Sequence, residues 1–283
     1  MKRVKEYILT AAETERFRLY LTAGEKSEST REKYLRDAAA FSTFCGGRVT
    51  AETVLAYKQS LIESGYAVRS INSMLAGLNL LFSFLGRSEL RVKYLKVQQQ
   101  IFRPEERELT KAEYTRLCRA ARRRENERLC LLLQTLCGTG IRVGELPFIT
   151  AEAVRRGRAT VTLKGKTRCV FLVRELQKKL LRYIEKRHIT SGAVFVTRTG
   201  RPMDRTNIWR EMKALCAEAG VAPQKVFPHN LRHLFARVFY GLEKDVVKLA
   251  DLLGHSSINT TRLYIISTGE EHRRRMERMH LIL

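Results

Sequence analysis

VFPHNLRHLFARVFYGLEKDVVKLADLLGHSSINTTRLY, residues 226–264, is the stretch around which the chain is organised. His229 and Arg232 stand three apart in a helical pattern that opens at Pro228, where a first-turn proline forfeits an N–H that had no partner anyway. A spacing of three puts both side chains on one helix face. A second helical pattern, from Lys244 to Leu253, stops at Gly254, a C-cap signal that presents His255 just outside the helix. Tyr264 follows nine residues later. A guanidinium, two imidazoles and a phenol suit chemistry at a phosphodiester: the first binds non-bridging oxygens, the imidazoles move protons, and the phenol attacks.

Working outward, an apolar helix over about 126–137 ends at Gly138-Thr139-Gly140 and delivers Arg142 at a break in the chain. An arginine buried there needs an anion or a carboxylate, and Glu145 stands three residues on. Residues 159–163 and 169–173 have strand composition around Lys164-Gly165-Lys166-Thr167, which predicts a β-hairpin. The segments L-G-H-S-S-I-N-T-T-R-L-Y and H-N-L-R-H closely resemble the C-terminal motifs of the tyrosine recombinases, the integrase and Xer-like family. G-T-G-I-R-V-G-E-L, residues 138–146, resembles that family's segment bearing the first arginine. Lys164 fits its hairpin lysine; because the turn is about one residue shorter than the commoner form, Lys166 remains an alternative. All four matches occur in the expected order.

Composition points the same way. The chain has 283 residues, enough for two domains, and 53 Lys+Arg against 29 Asp+Glu, a formal net charge of +24. Solubility needs far less, so a polyanionic partner is expected, nucleic acid first. The first 100 residues hold 16 basic and 10 acidic side chains, and the other 183 hold 37 and 19, so DNA contact should be densest in the second part. Six cysteines without a C-x-x-C pair read as reduced core residues, and no metal or cofactor is expected. No apolar run follows Met1-Lys2-Arg3 and none is long enough to span a bilayer; a cytoplasmic, nucleoid-associated protein without membrane contact is expected.

In order, helices are expected from Thr10-x-x-Glu13 to about Thr22, from Ser29-x-x-Glu32 to Cys45, from Thr50 to about 64, and from Ser70 to Leu85. Arg69, Ser70 and Asn72 are candidate DNA readers. Residues 101–108 read as a linker around Pro104. Thr110-x-x-Glu113 opens a helix ending in Arg122-Arg123-Arg124; further helices are expected over 175–187 and 206–219, the latter holding the lone tryptophan, Trp209, as a core residue. His233 is expected either to pack against its helix or to support the residues beside it, and not to be catalytic.

The fold class implied is mainly α with a small β-hairpin in the catalytic domain. The resemblance implies a two-domain, C-shaped clamp: a helical core-binding domain over 1–100 and a mixed α+β catalytic domain over 109–283, with a C-terminal exchange helix over 269–283. It implies a site-specific recombinase in which Tyr264 forms a 3′-phosphotyrosine, Arg142 and Arg232 hold the phosphate, His229 is a general base towards Tyr264 or a hydrogen-bond donor to the phosphate, and His255 donates to the second non-bridging oxygen. Lys164 would protonate the leaving 5′ oxygen. The partners implied are a double-stranded DNA recombination site, a homotetramer on two duplexes and accessory DNA-bending proteins. A type IB topoisomerase and a non-catalytic DNA-binding descendant are the alternatives.

Overall fold

The computed structural model describes residues 7–97, 105–163, 165–265, 273 and 276–279, with the backbone alone at 105, 163 and 166. The chain divides into two compact units, Met1–Gln99 and Gln100–Leu283.

In the first unit a short strand β1 (Tyr7–Ile8) pairs antiparallel with β2 (Arg48–Val49), tying together helices α1 (Ala11–Ala23), α2 (Glu28–Phe44), α3 (Ala51–Glu63) and α4 (Val68–Phe84). Thr10 and Thr50 open α1 and α3 as reciprocal capping boxes with Glu13 and Thr53, which satisfies N–H groups the helices leave orphaned. The second helix starts earlier than its sequence suggests: Ser27 takes the N-cap position, so Ser29 and Glu32 lie inside it. The fourth likewise begins two residues early, at Val68. Phe17, Phe41, Leu75, Leu78 and Phe82 fill the core between the helices. Asn72, a candidate DNA reader by sequence, bonds to the backbone of its own unit. Its amide donates to the Leu95 carbonyl at 2.9 Å and accepts from the Leu95 N–H at 2.8 Å, pinning the segment that leaves the unit.

The second unit runs α5 (Lys111–Arg123), α6 (Glu127–Thr139), a 3₁₀ segment Val143–Phe148, α7 (Ala151–Arg156), β3 (Arg158–Leu163), β4 (Lys166–Phe171), α8 (Arg174–Lys186), α9 (Arg205–Ala214), α10 (Cys216–Ala219), α11 (Pro228–Glu243), α12 (Val246–Leu253) and α13 (Ile258–Ile265). The apolar helix α6 is central, with Leu132, Leu133 and Leu136 fully buried among α5, α8 and α11. The hairpin strands pair from Arg158↔Phe171 to Leu163↔Lys166, so the turn is two residues, tighter than the four-residue turn expected. A single helix over 206–219 is not formed. A 3₁₀-type bond from the Leu215 N–H to the Met212 carbonyl breaks it into α9 and α10. α12 starts at Val246, after Lys244 in the left-handed region has closed α11 and Asp245 has capped the next N–H groups. Among the described residues no helix is long and apolar enough to cross a membrane.

Two helix ends aim their carbonyls at the interior. α6 ends on Gly140 at φ 61 and α12 on Gly254 at φ 63, left-handed caps that turn the terminal carbonyls inward. A Cβ on Gly140 would stand 2.5 Å from the Phe235 ring. Gly140→Ala is expected to destabilise the second unit by about 1–3 kcal/mol from backbone strain and overlap, read as a lowered urea midpoint.

Candidate active site

Arg232 lies in the first turns of α11 with 1% of its surface exposed. Its Nη1 donates to the Gly140 carbonyl, and its Nη2 donates to the Leu253 carbonyl at 2.7 Å, so two helix C-termini face one buried cation. Among the described residues its Nε is buried without a hydrogen-bond partner. Burial, and then the neighbouring charge of Arg142, lower its pKa to about 10, still charged at neutral pH. A guanidinium kept charged and partly unsatisfied in the interior is suited to an incoming anion.

Arg142 heads the 3₁₀ segment and is half exposed. Its Nη1 donates to Glu145 Oε1 at 2.8 Å, its backbone N–H to Oε2 at 2.9 Å, and its Nη2 to the Gly254 carbonyl at 3.2 Å. Glu145 is 2% exposed; burial works to raise its pKa and is outweighed by the hydrogen bonds from Arg142 and Arg168, which leave it below the ordinary carboxylate value.

His255 follows the α12 cap. Its Nε2 lies 2.9 Å from Arg232 Nη2 and its Nδ1 lies 2.8 Å from Thr261 Oγ1. Arginine has only donors, so Nε2 accepts and the Nδ1–H donates to Thr261. Burial, then the charges of Arg232, Arg142 and Arg168, bring the imidazole pKa down from 6.5 to about 4, consistent with this neutral tautomer.

Tyr264, on α13, is 6% exposed and lies among three imidazoles. Its ring stacks on His233 at 4.2 Å and meets His229 at 5.2 Å and His255 at 5.0 Å, and the Arg232 guanidinium sits 5.7 Å from its centroid. Five of the six residues singled out from sequence, Arg142, His229, Arg232, His255 and Tyr264, are thus gathered around one point. The sixth, Lys164, lies outside the described residues, as does the side chain of its alternative Lys166. Most of the exchange helix expected over 269–283 also lies outside them.

Other residues belong here that sequence reasoning passed over. Arg168 grips Glu145 from β4. Its signal was available: it pairs with buried Val161 and shares a strand face with buried Val170, so a period-two reading puts a charge on the inward face. Thr261 carried no such signal, since it is one polar residue among several. Trp209 is a correction. It is not core: it is 48% exposed and, with Arg205, lines a cleft of about 720 Å³ shared with Arg142, His229 and Arg232. The amphipathic pattern of α9 buries Ile208 and Met212 and turns Trp209 outward.

The His255 environment has a measurable consequence. With a pKa of about 4 in the fold and 6.5 as the ordinary value, its stabilising contribution is complete above pH 6.5. The contribution falls between pH 6.5 and 4 as the unfolded chain takes up the proton first, and is gone below. Urea midpoints of the wild type should therefore drop more steeply over that range than those of His255→Gln.

Comparison with known proteins places these features in a lineage. Residues 107–271 match the phage integrase family. The chain is 31% identical over 278 residues to the tyrosine recombinase XerA of Thermococcus kodakarensis, spanning 95% of both chains. It is 29% identical over 289 residues to XerA of Pyrococcus furiosus, spanning 99% of this chain and 98% of that one. Among solved structures it is similar to a lambda integrase dimer bound to a core site (TM-score 0.74, 17% identity, 92% of this chain and 96% of that one). It also resembles the XerA recombinase crystal structure (TM-score 0.55, 24% identity, 97% and 100%). The chain belongs to the phage integrase family and is a tyrosine-type site-specific recombinase.

Proposed function

We propose that this recombinase cleaves and rejoins double-stranded DNA through a 3′-phosphotyrosine at Tyr264. The observation that carries the reading is the gathering of one phenol, three imidazoles and two guanidiniums, three of which, Arg142, His229 and Arg232, line an adjoining cleft of about 720 Å³. The net charge of +24 favours a DNA partner, and the similar lambda integrase is described on its core site.

Tyr264 Oη attacks the scissile phosphorus, its proton passing to His229, and the bond to the 5′ oxygen breaks. Arg142 and Arg232 hold the non-bridging oxygens and offset the extra negative charge of the five-coordinate transition state. Arg232 takes the phosphate with its unspent N–H groups while His255 and the two helix-end carbonyls hold its other face. Lys164 supplies the proton to the departing 5′ oxygen. A phenol, with its ordinary pKa near 10, is a competent leaving group for the return step, in which a second strand's 5′-OH attacks the phosphotyrosine. The bond energy is retained in that ester, so exchange needs no ATP. His233 stacks against the Tyr264 ring and steadies it.

Residues 1–100 act as the core-binding domain and 109–283 as the catalytic domain, the two joined by 101–108. Residues 269–283 serve as the exchange helix that links four copies on two duplexes, and accessory DNA-bending proteins assist.

Two experiments test this reading. A duplex selected for binding from a random pool is nicked beside the site and incubated with protein in EDTA. Wild type should give a slow-migrating covalent band on a denaturing gel, attached through the 3′ phosphate, and Tyr264→Phe none. Arg142→Ala should lower the yield rate about 100- to 1,000-fold, the usual loss for one preorganised donor to a developing oxyanion. A band that survives in Tyr264→Phe refutes the nucleophile. Separately, Trp209 is the only tryptophan, so binding of the same duplex should change the intrinsic fluorescence of the wild type. An unaltered spectrum at saturating DNA would place the phosphate elsewhere.

A further inference from the structure

Arg168 touches none of the reacting groups, yet it is one of the most constrained charges in the second unit. Its side chain is 12% exposed; Nη2 donates to Glu145 Oε2 at 2.5 Å and Nη1 to the Leu252 carbonyl at 2.7 Å. Glu145 also takes the Arg142 side chain and backbone N–H, and Arg142 Nη2 reaches the Gly254 carbonyl. The bonds form a closed ring through three segments far apart in sequence: 142–145, strand β4, and the last turn of α12. Gly254 is part of the same construction. A Cβ there would stand 2.3 Å from Arg168 Cδ, so the arginine side chain passes beneath the glycine through space that any other residue at 254 would fill.

We propose that Arg168 is a positioning residue for DNA strand exchange, setting Arg142 and the His255 segment in register through Glu145 and the end of α12. The inference rests on the reading of Arg142 as a phosphate ligand. Its physical content is a division of labour on one carboxylate. Glu145 with Arg142 alone would hold that guanidinium as a private ion pair. With Arg168 on its other oxygen, Glu145 keeps a second buried partner, and Arg142, held by one bond from each Nη, can offer the second hydrogen of each to a phosphate. The fork geometry matters as well as the charge, because one planar guanidinium reaches both a carboxylate and a backbone carbonyl, which a single ammonium does less well. Since Arg168 lies in the middle of β4, opposite Val161, the same contact anchors that hairpin to the site.

Arg168→Met, Arg168→Lys, Glu145→Gln and the double variant Arg168→Met/Glu145→Gln are compared by three readouts. These are the single-turnover rate of covalent complex formation at saturating duplex, the affinity for inorganic phosphate read by Trp209 fluorescence, and the thermal midpoint. Arg168→Met should lose about 100-fold in rate, as expected when a catalytic group is misplaced by about an ångström, with duplex affinity changed less than about threefold. Arg168→Lys should recover about a tenth of the wild-type rate, and the double variant should be no worse than the poorer single one, because both break the same unit. Arg168→Met should also weaken phosphate binding about tenfold, Arg168→Lys less. The proposal is overturned if the rate per folded molecule is unchanged, if the two singles add in the double, or if phosphate affinity stays at the wild-type value. If wild type forms no covalent complex, the nucleophile is wrong; phosphate binding then decides for or against Arg168 by itself.

Discussion

A fully buried arginine is the constraint on which the rest of the catalytic unit depends. Taking a guanidinium out of water costs several kcal/mol even after relaxation, and each hydrogen bond to a charged group returns only about 1.5–3 kcal/mol. Arg232 therefore needs acceptors delivered from outside its own helix. They arrive as the terminal carbonyls of two other helices, Gly140 at the end of α6 and Leu253 at the end of α12, where aligned peptide dipoles add negative potential. Each of those helices must stop at a fixed place and turn sharply, and each does so on a glycine in the left-handed region. The G-T-G before Arg142 and the L-G before His255 are thus the means by which a cation is held inside the protein. They are also the reason that Arg142 and His255, just beyond those glycines, emerge beside it.

The same arrangement settles the state of His255. An imidazole facing three guanidiniums in a half-buried site is neutral, and its tautomer is set by its neighbours: Arg232 donates on one side, and Thr261 must accept on the other. Thr261 lies on α13 with Tyr264, so the histidine bonds to the helix that presents the phenol. Tyr264 completes the layer by packing its ring on His233 and against His229 and His255. Site and small core are here one object: Tyr264 packs with Ala236, Leu249 and Leu253, whose side chains fill the space behind it.

Much of this was legible beforehand because the spacing of the motifs carries geometry. His229 and Arg232 share a face because three residues make most of a helical turn, and His255 stands outside α12 because a glycine ends it. The capping boxes at Thr10 and Thr110, and Thr50 as a helix start, marked the ends correctly because their hydrogen bonds are local. Where local signals competed, they misled. Ser29-x-x-Glu32 mimics a cap inside α2, and Trp209 looked like core because aromatic size suggests burial, whereas the periodicity of α9 turns it outward.

The chain's order of residues was sufficient for the family, the mainly helical class and the set of side chains worth testing, since all of these rest on short-range periodicity and on motifs a dozen residues long. It was not sufficient for the partners those side chains take. Glu145 meets Arg168 across 23 residues, Arg142 meets Gly254 across 112, and Arg232 meets Gly140 across 92. Such contacts depend on how helices and a hairpin pack, a balance of burial, shape and desolvation summed over the whole unit. No local stretch contains that sum, and only the folded chain brings the carboxylate, the carbonyls and the cations within hydrogen-bond reach of one another.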